Sequence, residues 1–189
     1  MCRNSKETYM KDPQIRQLLK HTELSKYNDG HSKIVHELRL PVAKARIDIA
    51  VLNGHMHGYE IKSAADTLIR LPSQIEAYAK VFDFVTVVTE DKYVKKLSFL
   101  PEYVGISICI DESTLVVERP ALPNTEREGF YIAKLLWRHE LTVLLEKFEI
   151  AFCKLDRNWL LCEALAKNVN VDNLSDEVRE VIKKRVDWK

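Results

Sequence analysis

The chain has 189 residues, enough for one domain with a sizeable core or for a core with an appended subdomain. Its 29 Lys and Arg against 28 Asp and Glu leave a net charge of +1, with the signs interspersed. That balance excludes the global positive field of a protein that coats nucleic acid indiscriminately, while a local basic groove stays open. No N-terminal apolar run reads as a signal peptide and no segment has the length of a membrane span, so no membrane association is expected and the expected compartment is the cytoplasm. The four cysteines, Cys2, Cys109, Cys153 and Cys162, form no Cys-x-x-Cys pair, which argues against a zinc ribbon and for reduced, partly buried thiols.

Residues 12 to 27 predict a helix, with Asp12 as cap and Pro13 in its first turn. Ile15, Leu18, Leu19 and Leu24 form its apolar stripe, and Asn28-Asp29-Gly30 ends it. Ile34 to Leu40 predicts the first strand, with Ile34, His36, Leu38 and Leu40 on one side and Val35, Glu37 and Arg39 on the other.

Arg46 to Ser63 reads as two short strands joined at Asn53-Gly54. A loop centred on Gly54 brings Ile47 to Ile61, Ile49 to Tyr59 and Asp48 to Glu60. A tight turn at Asn53-Gly54 would put Ile61 and the first strand's isoleucines on opposite faces, which a half-buried hairpin resists. In the favoured register two carboxylates face each other in apolar sequence and repel. A positive group must compensate; Lys62 is one candidate and a divalent cation the other.

Pro72 opens a helix carrying Gln74 and Tyr78, an i,i+4 pair on one face. Arg70 just before it could meet a phosphate through a bidentate contact or pair with Asp66. Residues 84 to 89 form a nearly continuous apolar run, the pattern of a strand covered on both faces. A short helix over Lys92 to Leu97, a strand over Val104 to Ile110 and an edge strand over Leu115 to Glu118 complete an α/β sandwich with a mixed sheet.

Asp48 followed by Glu60-Ile61-Lys62 on the next strand resembles the core of the PD-(D/E)XK nuclease superfamily, with Ala45-Arg46-Ile47 where that pattern carries its proline. Gln74-x-x-x-Tyr78 is similar to the element that follows the Glu-x-Lys strand in RecB-type members. The resemblance covers roughly residues 34 to 110 and implies a restriction-endonuclease-like αβββαβ core with a mixed central sheet. It further implies a metal-dependent nuclease acting on DNA, with RNA left open, and Mg²⁺ or Mn²⁺ as cofactor. Asp48, Glu60 and Lys62 would be catalytic. Asp48, Glu60 and the Ile61 carbonyl would hold the metal, Lys62 would assist the attacking water, and Gln74, Tyr78 and Arg70 would contact the nucleic acid. An extra acidic ligand from the first helix or strand would be Glu37, with Glu23 as competitor. His31 and His36 are weaker candidates, and His55 and His57 read as solvent-facing. The cysteine spacing does not match the iron–sulfur cluster of some RecB-type members.

Pro120 to Glu128 marks a boundary between a nuclease-like core (1–119) and a helical C-terminal appendage (120–189). Leucines from Leu135 to Leu145 recur at helical spacing. Further helices are expected from Asp156 or Asn158 through Lys167, and from Ser175 through Val186. These helices could read DNA, dock a protein partner or form a homodimer. The rival to catalysis is a noncatalytic nucleic-acid-binding or adaptor protein that keeps the fold, and a third class is a transcription factor using the C-terminal helices.

Overall fold

Ile15, Leu18 and Leu19 fall on one side of a helical turn, and burying them seats α1 (Asp12–His21) against a sheet. The computed structural model describes residues 10–186. α1 is shorter than expected, because residues 22–27 finish in a 3₁₀ turn over Ser25–Tyr27. Asp12 does not cap it: the Lys11 N–H donates to Gln14 Oε1 (2.9 Å), and Asp12 pairs with Arg16 one turn on (2.7 Å).

Three strands follow directly, β1 (Lys33–Arg39), β2 (Arg46–Asn53) and β3 (His55–Lys62). After α2 (Leu71–Ala79) come β4 (Phe84–Glu90), α3 (Asp91–Val94), β5 (Gly105–Cys109) and β6 (Leu115–Arg119). The six strands form one sheet in chain order. β3, β4 and β5 run parallel through crossovers that contain α2 and α3, and the other pairs are antiparallel. The expected α-β-β-β-α-β order and mixed sheet are therefore both present. The C-terminal part is helical, with α4 (Gly129–Ala133), α5 (Arg138–Lys147), α6 (Asn158–Asn168) and α7 (Val171–Lys183). α7 begins four residues before the expected Ser175, because the Asn170 side chain accepts the Asp172 N–H and caps it there.

Both faces of the sheet are covered. α1 packs its stripe against Ile49, Val51, Tyr59, Ile61 and Val88. On the other face, Ala50, Leu52, Met56 and Val87 share one apolar cluster with Ile75 and Tyr78 of α2 and with Ile132, Leu144, Leu161 and Val178 of the C-terminal helices. The link over 120–128 carries no helix or strand but is pinned down. Asn124 is buried and donates to the Ala79 and Phe82 carbonyls (2.6 and 2.8 Å), and Arg127 pairs with Asp83.

The hairpin of β2 and β3 takes the Gly54-centred register: Ile49 faces Tyr59, Leu52 faces Met56 and Asn53 faces His55, with Gly54 at φ +61°. Beyond Ile49 the expectation fails. Ile47 joins the cluster under α2 while Ile61 stays on the α1 side, so the two do not meet. β1 changes face at the same level: Val35 and Leu38, three residues apart, both lie in the α2-side cluster, and Glu37 between them has φ +56°. Glu37 and Asp48 stand between the cross-strand pairs His36–Ile49 and Leu38–Ile47. Strict alternation therefore breaks in both strands at the two acidic residues, and the neighbouring apolar side chains are turned into the second core.

Candidate active site

Alternation along β3 sends Ile61 toward α1 and leaves Glu60 and Lys62 facing α2, although both charged residues are almost fully buried. A buried carboxylate needs donors, and α2 supplies them from one face. Gln74 Nε2 donates to Glu60 Oε1 (2.7 Å) and the Tyr78 hydroxyl donates to Glu60 Oε2 (2.6 Å). Lys62 Nζ donates to Glu60 Oε1 (2.6 Å) and to Gln74 Oε1 (2.9 Å). Burial and the Glu60 charge push the Tyr78 phenol well above its ordinary range, so it remains a donor.

Asp48 approaches from the side. Its Oδ2 accepts the Ile61 N–H (2.8 Å), a backbone donor that the neighbouring strand no longer satisfies after the change of face. Its Oδ1 accepts from Arg16 Nη2 (2.8 Å). Burial, together with the nearby Glu60 charge, raises the Asp48 carboxyl from 3.8 to about 6, outweighing the Ile61 N–H and Arg16. The Glu60 charge thus adds to the effect of burial, and Arg16 offsets part of it.

Arg16 has no counterpart among the residues singled out from sequence. From α1 it reaches Asp12 through Nε (2.7 Å), Glu37 Oε1 through Nη2 (2.7 Å) and the Asp48 carbonyl through Nη1 (3.2 Å). Its one sequence signal was the i,i+4 spacing to Asp12, which reads as an ordinary surface pair.

Asp48, Glu60, Ile61, Lys62, Arg70 and Gln74 all line a single cleft of about 960 Å³. Arg70 is exposed and has no ion-pair partner among the described residues; Asp66, its alternative partner, instead accepts from the Ser63 N–H and hydroxyl (2.9 and 2.7 Å). Tyr78 does not line the cleft: it is fully buried behind Glu60, placed to position that carboxylate rather than to touch a ligand. Glu37 also lies outside it, its oxygens taken by Arg16 and by Arg46 Nε (2.8 Å).

Glu23 sits elsewhere, 3.3 Å from the Tyr59 hydroxyl. His36 is exposed on the edge strand and His31 lies exposed in the preceding loop. His57 is not solvent-facing as expected. It stacks on Tyr59 with ring centroids 4.2 Å apart and bonds Thr86 (2.8 Å), and burial lowers its pKa to about 3, leaving it neutral. Cys109 and Cys162 are buried free thiols and Cys153 is exposed; Cys2 lies outside the described residues.

Among the described residues, no group of three or more His, Cys, Asp or Glu side chains converges as a metal cage. Fewer oxygen donors meet in the cleft, from Asp48, Glu60 and the Ile61 main chain. Two carboxylates and a strand carbonyl are hard oxygen donors of the kind Mg²⁺ accepts, with water and substrate phosphate filling the other positions. Burial is the larger cause of the raised Asp48 pKa, and the Glu60 charge adds to it, a repulsion that an added cation would lessen.

A mixed α/β sheet with a charged cleft, lined by both carboxylates and cations, beside the carboxyl end of a parallel strand is the class that fold and site define. Within that class the chain belongs to the bacteriophage P4 protein cII family, whose sequence model matches residues 4–188. Protein cII of Enterobacteria phage P4 is 28% identical over 158 residues, which covers 80% of this chain and 59% of that protein's length. Among solved structures, the SPO1766 protein of unknown function from Silicibacter pomeroyi is similar with a TM-score of 0.45 and 17% identity, over 75% of this chain and 94% of that one.

Proposed function

We propose that the protein is a metal-dependent nuclease that hydrolyses phosphodiesters of DNA at the Asp48–Glu60–Lys62 cleft. The observation that carries the reading is the convergence of these three side chains, from two strands, on one cleft where Asp48 is held near pKa 6. Asp48, Glu60 and the Ile61 carbonyl would hold Mg²⁺ or Mn²⁺. Such an ion supplies Lewis acidity toward water and phosphate oxygen when bound. Lys62, gripped by Glu60 and Gln74, presents a fixed ammonium that orients the attacking water and offsets charge on the phosphate. Gln74 and Tyr78 keep Glu60 in place, and exposed Arg70 meets a flanking phosphate.

One observation favours a second reading, a noncatalytic nucleic-acid-binding or adaptor protein. Every carboxylate oxygen of Asp48 and Glu60 already accepts a hydrogen bond from the chain itself. In this reading Arg16 and Lys62 do permanently what a metal would do.

Incubation with linear, circular and single-stranded DNA, and with RNA, in Mg²⁺ or Mn²⁺ separates the two. Under the nuclease reading wild type cuts, while Asp48→Asn and Lys62→Ala lose about a hundredfold or more in rate. Binding without cutting would favour the adaptor. Equal cutting by wild type and both variants would refute the assignment of the cleft.

A further inference from the structure

Two cavities adjoin at the free edge of β1. The carboxylate cleft and a neighbouring cavity of about 680 Å³ both have Arg39 and Leu40 in their walls, so the two adjoin at the end of the strand. Among the described residues β1 pairs only with β2, and no strand lies on its outer edge. The far wall of the second cavity contains Leu135, Leu136, Trp137 and Arg185.

Trp137 stands 40% exposed there, yet it is held firmly. Its backbone N–H donates to Glu140 Oε2 (2.6 Å) at the start of α5, and the Arg185 guanidinium lies over its ring, 4.2 Å from the centroid. Arg185 is fixed in turn by Glu140 and by the Leu135 carbonyl (2.9 Å). A partly exposed indole steadied by a cation over its ring can serve as a stacking platform. Arg39, in the walls of both cavities, and Lys44, in the cleft, are exposed and have no carboxylate partner among the described residues, whereas Arg46 is paired with Glu37 and Lys62 with Glu60.

We infer that a single-stranded stretch of nucleic acid crosses from the cleft over Arg39 and lies along the β1 edge, with one base stacked on Trp137. The inference rests on the reading of the cleft as a phosphodiester site. Uncommitted cations match the backbone, and an indole stacks on any base, which gives affinity with little sequence preference. A peptide strand added to the β1 edge would use its backbone groups, but would leave the cations and the indole without a role.

The test measures binding of a labelled single-stranded thymidine oligonucleotide in EDTA. It also follows the emission of Trp137 in the full chain carrying Trp159→Phe and Trp188→Phe. The oligonucleotide should quench Trp137 to saturation. Trp137→Ala should weaken binding roughly tenfold and Trp137→Phe should restore most of it, since a phenyl ring still stacks. Arg39→Ala should weaken binding and reduce its salt dependence. Failure to bind, binding without quenching, or wild-type affinity in Trp137→Ala would overturn the inference. Failure of the hydrolytic reading looks different: Asp48→Asn and wild type would bind and quench alike, and neither would cut.

Discussion

Asp48 is held between groups that pull its titration in opposite directions. Burial and Glu60 favour the neutral acid, and Arg16 and the Ile61 N–H favour the carboxylate. The outcome, about 6 against an ordinary 3.8, means that the folded chain binds more protons than the unfolded chain between those values. The stability this contributes is therefore full below about pH 4 and is lost as pH rises through about 6. An amide mimics the neutral acid. Asp48→Asn should therefore raise stability at pH 7.5 by about 1–3 kcal/mol. The gain should shrink at pH 4.5, and urea midpoints at the two pH values check it. A variant less stable than wild type at pH 7.5 would mean that the Arg16 pair outweighs the repulsion. Asp48 and Glu60 could be picked out from sequence because an acid in an apolar strand is conspicuous. Arg16 could not, since its partners on β1 and β2 lie 21 and 32 positions along the chain.

At the scale of elements, the hairpin of β2 and β3 was readable where side-chain alternation holds, from Ile49 to Tyr59. It was misread at Ile47, where both β1 and β2 change face, because a period of two has no way to register a paired irregularity. The β1–β2 connection escaped for a related reason. Ala43 and Lys44 both take left-handed backbone angles (φ +47° and +55°), and the Ala45 N–H closes the turn on the Val42 carbonyl at 2.8 Å. This is the geometry of a two-residue hairpin turn without the Asn or Gly that normally announces it. The conformation is costly for a side-chain-bearing residue, and Lys44 lines the cleft. Lys44→Gly should therefore stabilise the protein by about 0.5–1 kcal/mol, read as a higher denaturation midpoint, while weakening nucleic-acid binding. A loss of stability would show that the Lys44 side chain makes compensating contacts.

For the whole molecule, the helices beyond residue 128 complete the core on one face of the sheet, where Leu144, Leu161 and Val178 belong to the same apolar cluster as Val87 and Ile75. The link over 120–128 stands out in composition, but the anchoring of Asn124 to the Ala79 and Phe82 carbonyls does not, because a single buried Asn resembles any loop residue. Among the described residues, no helix is long and apolar enough to cross a membrane. The chain spans 59% of the length of its phage P4 relative, so the partners and activity of that longer protein bear on this one only as proposals. The central claim concerns a place for a cation. Crystals soaked in Mn²⁺ should show an anomalous scattering peak within coordination distance of Asp48 and Glu60, and Asp48→Asn crystals should lack it. Saturating Mn²⁺ with no peak in the cleft, and both carboxylates still bound to Arg16 and Lys62, would contradict it.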